Sequence, residues 1–197
     1  MRKIETIWHH LLFGALEEKR FKWTQQELAK KFDYSLSTVN HALGIPAQMG
    51  SIRKTSKFFV LQDFDKLLYY WASVRNLEND IVYETYYPDS ILKAEGEIPA
   101  GSIYAGYSAT RRLLKEAPAD YSKLYSYFKD IEYFKQRFPV NKEQSPNVFV
   151  LKMPEAMPQY GGITTLPQTF VDTWNLRDWY AHDFTNALKE KIHGLLS

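Results

Sequence analysis

The chain has 197 residues, 45% hydrophobic and 16% aromatic, enough for one large or two small domains with a proper core. It holds no cysteine, which excludes disulfides, thiol catalysis and cysteine-ligated zinc and fits a reducing, cytoplasmic setting. The net charge of +2 is uneven: residues 1–62 hold ten Lys/Arg against five Asp/Glu, a balance of +5, and the remainder fifteen against eighteen, a balance of −3. A basic front on a mildly acidic body suits nucleic-acid contact by the front alone. No apolar run is long enough to span a bilayer, and the first residues lack the apolar stretch and small-residue site of a signal peptide, so no membrane partner is expected.

In chain order, Ile4, Ile7, Trp8, Leu11, Leu12, Ala15 and Leu16 mark an amphipathic first helix. His9 and His10 lie beside that stripe. Adjacent histidines on a helix point about 100° apart, so they read as surface or boundary residues rather than metal ligands. Thr24 followed by Glu27 is a capping box that starts a short helix with Leu28, Ala29 and Phe32 inward. Asp33 and Tyr34 break the chain. Ser35 is a good N-cap for a second helix through Leu43, which Gly44 and Pro46 stop.

This second helix has two faces. At about 100° per residue, Leu36, Val39 and Leu43 share one side, and Ser37, Thr38, Asn40 and His41 the other. Short hydrogen-bonding side chains on an exposed face suit base edges and phosphates in a major groove. Two capped helices with a sharp turn, the second polar outside, form the helix-turn-helix pattern. Ser51-Ile52-Arg53 and Lys57 to Leu61 then pair as a wing, with Lys54, Thr55 and Ser56 at its tip. The candidate DNA-binding residues are therefore Ser35, Ser37, Thr38, Asn40, His41, Arg53, Lys54 and Lys57.

Asp63 or Asp65 caps a further helix with Leu67, Leu68, Trp71, Ala72 and Arg75 at helical spacing, and a domain boundary is expected near residue 80. Asp80 to Tyr87 reads as a strand. Pro88-Asp89-Ser90 starts a short helix to about Gly96, and Ile103 to Lys115 reads as another. Lys123 to Lys129 (strand), Ile131 to Phe138 (helix) and Asn147 to Lys152 (strand) suggest a βαβ unit with parallel pairing. Met153 to Thr165 is a loop. Leu166 to Leu176 and Trp179 to Leu196 close the chain as helices, the last burying Phe184, Ala187, Leu188 and Ile192.

Catalytic motifs are sparse. There is no GxxxxGK phosphate loop, no HExxH and no GxSxG. Gly50-Ser51 followed by Asp63-Phe64-Asp65 has the spacing of a nucleotidyltransferase, which holds phosphates at Gly-Ser and two metal ions on Asp-x-Asp. The intervening residues leave no room for a core helix and strand, and Asp63 and Asp65 suit helix capping. The second Gly-Ser, at 101–102, has no following Asp-x-Asp. No catalytic residue, metal or cofactor is expected.

The order of elements resembles prokaryotic winged helix regulators related to the abortive-infection type antitoxins. The stretches that carry this are STVNHAL, SIRKTSKFFVL, DKLLYYWASVR, AGYSATRRLL and LPQTFVDTWNL. The resemblance implies a DNA-binding N-terminal domain and a C-terminal domain similar to a nucleotidyltransferase fold without its catalytic acids. It also implies a regulator that acts on its own operon and opposes a partner toxin.

The expected fold is α+β: a winged helix-turn-helix DNA-binding domain over residues 1–80, then a mixed α/β domain over 81–197 with a small sheet and C-terminal helices, serving dimerisation, effector or partner binding. The expected function is sequence-specific binding of double-stranded DNA by a transcriptional regulator. The alternatives are an antitoxin that masks a toxin and autoregulates its operon, and a nucleotidyltransferase-type enzyme. A homodimer and a partner toxin are the protein partners these readings allow.

Overall fold

The structure is a computed structural model and describes residues 1–196. The protein is α+β, with two small sheets and helices at its C-terminal end. It falls into two compact units, Met1–Arg75 with the chain end from Leu195, and Asn76–Gly194.

The first unit runs α1 (Lys3–Glu17), β1 (Lys22–Trp23), α2 (Gln25–Phe32), α3 (Leu36–Ala42), α4 (Gly44–Gln48), β2 (Ile52–Lys54), β3 (Phe59–Leu61) and α5 (Phe64–Val74). Its sheet has the order β1-β3-β2, antiparallel throughout, with Arg53 opposite Val60 and Lys54 opposite Phe59. This is a winged helix. Ile7, Leu11 and Leu12 of α1, Leu28, Val39, Leu43, Leu67 and Trp71 are all buried, so the stripe of α1 is the support of the helix pair. The Trp8 Nε1 donates to the Ala42 carbonyl at 2.7 Å and pins the end of α3 to α1. Gly14 lets β1 close on α1, because a Cβ there would lie 2.9 Å from the Trp23 ring.

Four local expectations change in this unit. His9 and His10 are buried, not superficial. His9 packs against Trp71 with ring centres 5.9 Å apart, and His10 against Phe32 at 5.3 Å. Burial pushes both pKa values down, His9 to about 3 and His10 to about 4. His10 lowers His9 further, and Lys31 and Arg20 lower His10. The capping box is only half formed: Thr24 Oγ1 accepts the Glu27 amide at 3.1 Å, but the Glu27 carboxylate turns to Arg20. Gly44 and Pro46 do not stop the chain. α3 ends at Ala42 with Leu43 as its C-cap, and α4 follows at once from Gly44, with Pro46 in its first turn, where no amide partner is lost. Strand β1 is an addition, held by Lys22 opposite Val60.

Asp63 is the N-cap of α5, its Oδ1 accepting the Lys66 amide at 3.0 Å. Behind it, Glu5 is buried among Arg2, Trp71 and Arg75: it accepts from Arg2 Nε at 2.6 Å, and from Trp71 Nε1 and Arg75 Nη1 at 3.3 Å each.

The second unit runs β4 (Ile81–Thr85), α6 (Ile91–Glu97), β5 (Ile103–Ala105), α7 (Gly106–Leu114), β6 (Leu124–Phe128), α8 (Ile131–Arg137), β7 (Val148–Lys152), α9 (Leu166–Trp174) and α10 (Ala181–Leu196). The sheet order is β4-β7-β6-β5. β6 and β7 are parallel, joined by the α8 crossover, and the two edges are antiparallel. Both faces are covered. Ile91 and Ala94 of α6, Phe134 of α8 and Phe138 just after it pack with Leu124, Val148 and Val150 on one side. Tyr107, Tyr180 and Phe184 pack with Tyr125, Tyr127 and Leu151 on the other. β6 is therefore buried along its whole length, as the centre of a two-sided sheet requires.

The segment expected as one helix from Ile103 to Lys115 is split. Ile103–Ala105 pairs with Tyr125–Tyr127 as an edge strand. Gly106, at φ +53°, turns the chain into α7. The loop after β7 contains a 3₁₀ turn at Met157–Tyr160 and a single parallel bridge from Ile163 to Tyr104. α10 begins at Ala181, two residues later than expected.

Candidate nucleic-acid interface

Helix α3 is fixed at its start by Ser35, whose Oγ accepts the Thr38 amide at 3.1 Å and lies 2.9 Å from the Thr38 hydroxyl. The two hydroxyls thus serve the cap, and Thr38 is half-buried. Ser37, Asn40 and His41 are exposed on the outer face. Val39, Ala42 and Leu43 are buried on the inner one. Leu36 departs from the expected inner stripe and is 50% exposed. As the first residue of the helix, it has no preceding turn to lie against.

The wing stands beside this helix. Its tip closes through Thr55, whose amide donates to the Phe58 carbonyl at 2.8 Å and whose Oγ1 accepts the Phe58 amide at 3.1 Å. That turn presents Arg53, Lys54 and Lys57 to solvent. Lys54 Nζ donates to Asn40 Oδ1 at 3.1 Å, so strand β2 and the outer face of α3 meet side to side. Between the wing and the start of α2 lies a cleft of about 430 Å³, lined by Thr24, Gln25, Gln26, Leu36 and Lys54–Phe59. Lys22 reaches over the Phe58 ring at 3.9 Å and adds a further cation at the wing base.

The eight expected residues therefore divide. Ser37, Asn40, His41, Arg53, Lys54 and Lys57 are all exposed, and of these Lys54 and Asn40 are in direct contact; Arg53, its neighbour on β2, points to the opposite face of the sheet from Lys54. Ser35 and Thr38 hold the helix that presents Asn40. Sequence reasoning missed Leu36, Gln25 and Gln26 in the cleft. The position of Gln25 and Gln26 just after a cap was a signal, because N-terminal turns carry free amides.

Asp63 and Asp65 stand at the start of α5, where Asp63 caps the helix. Gly50 turns at φ +76°, and the Ser51 hydroxyl is buried on the Pro46 carbonyl at 3.2 Å. Among the described residues, no group of three His, Asp or Glu is placed to hold a metal ion, and no helix is long and apolar enough to cross a membrane.

By fold, the first unit is a winged helix-turn-helix domain. Comparison with family models, with curated proteins and with solved structures finds no match to this chain.

Proposed function

We propose that the protein is a sequence-specific DNA-binding transcriptional regulator, with α3 in the major groove and the wing on the adjoining phosphate backbone. One observation carries this reading: the exposed outer face of α3 and the exposed wing meet where Lys54 Nζ donates to Asn40 Oδ1. Ser37, Asn40 and His41 have the size and hydrogen-bonding groups to meet base edges. Arg53, Lys54 and Lys57 have the charge to meet phosphates. The basic balance of residues 1–62 and the likeness of STVNHAL and SIRKTSKFFVL to a recognition helix and wing point the same way. The second unit, acidic on balance, is read as a dimerisation or effector domain.

The test is selection of bound sequences from a random duplex pool by the full chain, followed by titration of Ser37→Ala/Asn40→Ala/His41→Ala on the selected duplex. Each lost base contact weakens specific binding by about 1–3 kcal/mol. Circular dichroism checks that the fold is kept. A triple variant with unchanged affinity and selectivity refutes α3 as the reader.

A further inference from the structure

The second unit contains a cavity of about 860 Å³ on the α7 side of its sheet. Its floor is a row of side chains that register across three strands. Glu84 of β4 is opposite Phe149 of β7, and Phe149 is level with Tyr125 of β6. Paired residues point to the same face of a sheet, so the row is contiguous. The Tyr125 and Phe149 rings are stacked, with centres 4.7 Å apart and planes 10° apart. The far wall is the chain from Asn175 to Asp178.

The charges around this cavity are not equivalent. Lys123 Nζ binds Asp178 Oδ1 at 2.6 Å, and Asp178 Oδ2 accepts from Tyr107 at 2.9 Å. Arg177 pairs with Glu78 at 3.2 Å. Lys123 is held in a largely buried pair and also lies 5.8 Å over the Phe149 ring, whereas the Arg177–Glu78 pair is exposed to water. The Glu84 carboxylate has no hydrogen-bond or ion-pair partner among the described residues. Three acids against two bases line the cavity, and the uncommitted charge is negative. The Tyr125 phenol responds to the same field. Burial raises its pKa first, and Asp178, Tyr180, Glu78 and Glu84 raise it further.

We propose that this cavity binds a flat aromatic organic cation, its ring against the Phe149–Tyr125 row and its charge on Glu84. The volume lies in the range of small-molecule sites, and an aromatic floor with a few convergent polar groups is their usual composition. An aromatic ring with a delocalised cation satisfies both features at once: the ring packs against the exposed side of the stacked pair, and an amidinium or guanidinium forks onto a carboxylate. An anion would meet the Glu84 charge and find Lys123 already engaged by Asp178.

The experiment titrates three probes into the full chain by calorimetry, with the aromatic resonances followed by NMR. Benzamidine carries both features, benzoate has the ring with the opposite charge, and cyclohexanecarboxamidine has the cation without the flat ring. Saturable binding of benzamidine, no binding of benzoate and about fivefold weaker binding of the cyclohexyl probe are expected. Glu84→Gln, at an exposed position of the edge strand β4, weakens benzamidine about fivefold, with circular dichroism as the check on the fold. Phe149→Leu keeps the apolar volume and weakens benzamidine more than the cyclohexyl probe. Absence of saturable benzamidine binding by the unmodified chain, equal binding of benzoate, or unchanged affinity in Glu84→Gln overturns the proposal.

Discussion

The wing offers the sharpest quantitative test of the DNA-binding reading. Arg53 and Lys57 are exposed, and among the described residues no ion pair holds them. Each phosphate contact contributes about 0.9 to the slope of log affinity against log salt on duplex DNA. Losing both cations in Arg53→Ala/Lys57→Ala should flatten the slope by about 1.8. Between 50 and 200 mM salt, roughly a fourfold change, the unmodified chain should then lose about 12-fold more affinity than the double variant. Lys54 should behave differently, because its ammonium sits on Asn40 Oδ1 at 3.1 Å. Lys54→Ala removes a charge and also releases the Asn40 amide proposed to read bases, so it should alter sequence preference as well as slope. The assay is fluorescence anisotropy on a mixed-sequence duplex at several salt concentrations, with the selected duplex as a second series. Slopes that coincide for the unmodified chain, both single variants and the double variant would remove the wing from the DNA.

Three further outcomes concern the scaffold. Arg75→Met leaves the buried Glu5 carboxylate with one cation fewer and should cost about 3 kcal/mol in urea denaturation, whereas a cost near zero would mean that Arg2 and Trp71 suffice. His9 and His10 are held neutral in the fold, with pKa values of about 3 and 4, and take up protons near 6.5 when unfolded. Stability is therefore full above about pH 7 and falls as pH drops through 6.5 towards 4, each histidine contributing up to about 1.4 kcal/mol per pH unit. His10→Phe should flatten that slope, and a variant with the same slope between pH 7 and 5 refutes the assignment. Gly14→Ala drives a Cβ to 2.9 Å from the Trp23 ring and should destabilise the first unit by about 1–3 kcal/mol, read as a lower thermal midpoint; no change would mean that β1 can retreat freely.

The winged helix was legible because its signals are local. Ser35 caps α3, Thr24 caps α2 and Asp63 caps α5, each through the amide three residues on. What escaped needs tertiary knowledge. Leu36 fits the apolar arc of α3 by angle, but the start of a helix can lie beyond the core it points towards. His9 and His10 look polar, yet a neutral imidazole packs on Trp71 (tilted) and on Phe32 (edge-on) as an aromatic would. A clue existed: α1 offers few charged residues between Thr6 and Leu16, so little of its circumference is fit for water. Ile103–Ala105 is too short to show an alternation, and only Gly106 marked the turn between strand and helix. The cavity of the second unit had no signal at all, because Glu84, Tyr125 and Phe149 become neighbours only through strand register.

The central pairing of the second sheet also orders events in time. β6, α8 and β7 form a local crossover, so that part of the sheet can assemble from one short stretch of chain. β4 pairs only with β7, which lies beyond every other strand in sequence. During synthesis from the N-terminus, residues 1–75 leave the ribosome with nearly all their partners, whereas Ile81–Thr85 emerges as an unpaired strand and waits for Val148–Lys152. For that interval its edge is open to other nascent chains. Val82 and Glu84 alternate outward on it, and the carboxylate gives the waiting strand a charge that discourages association.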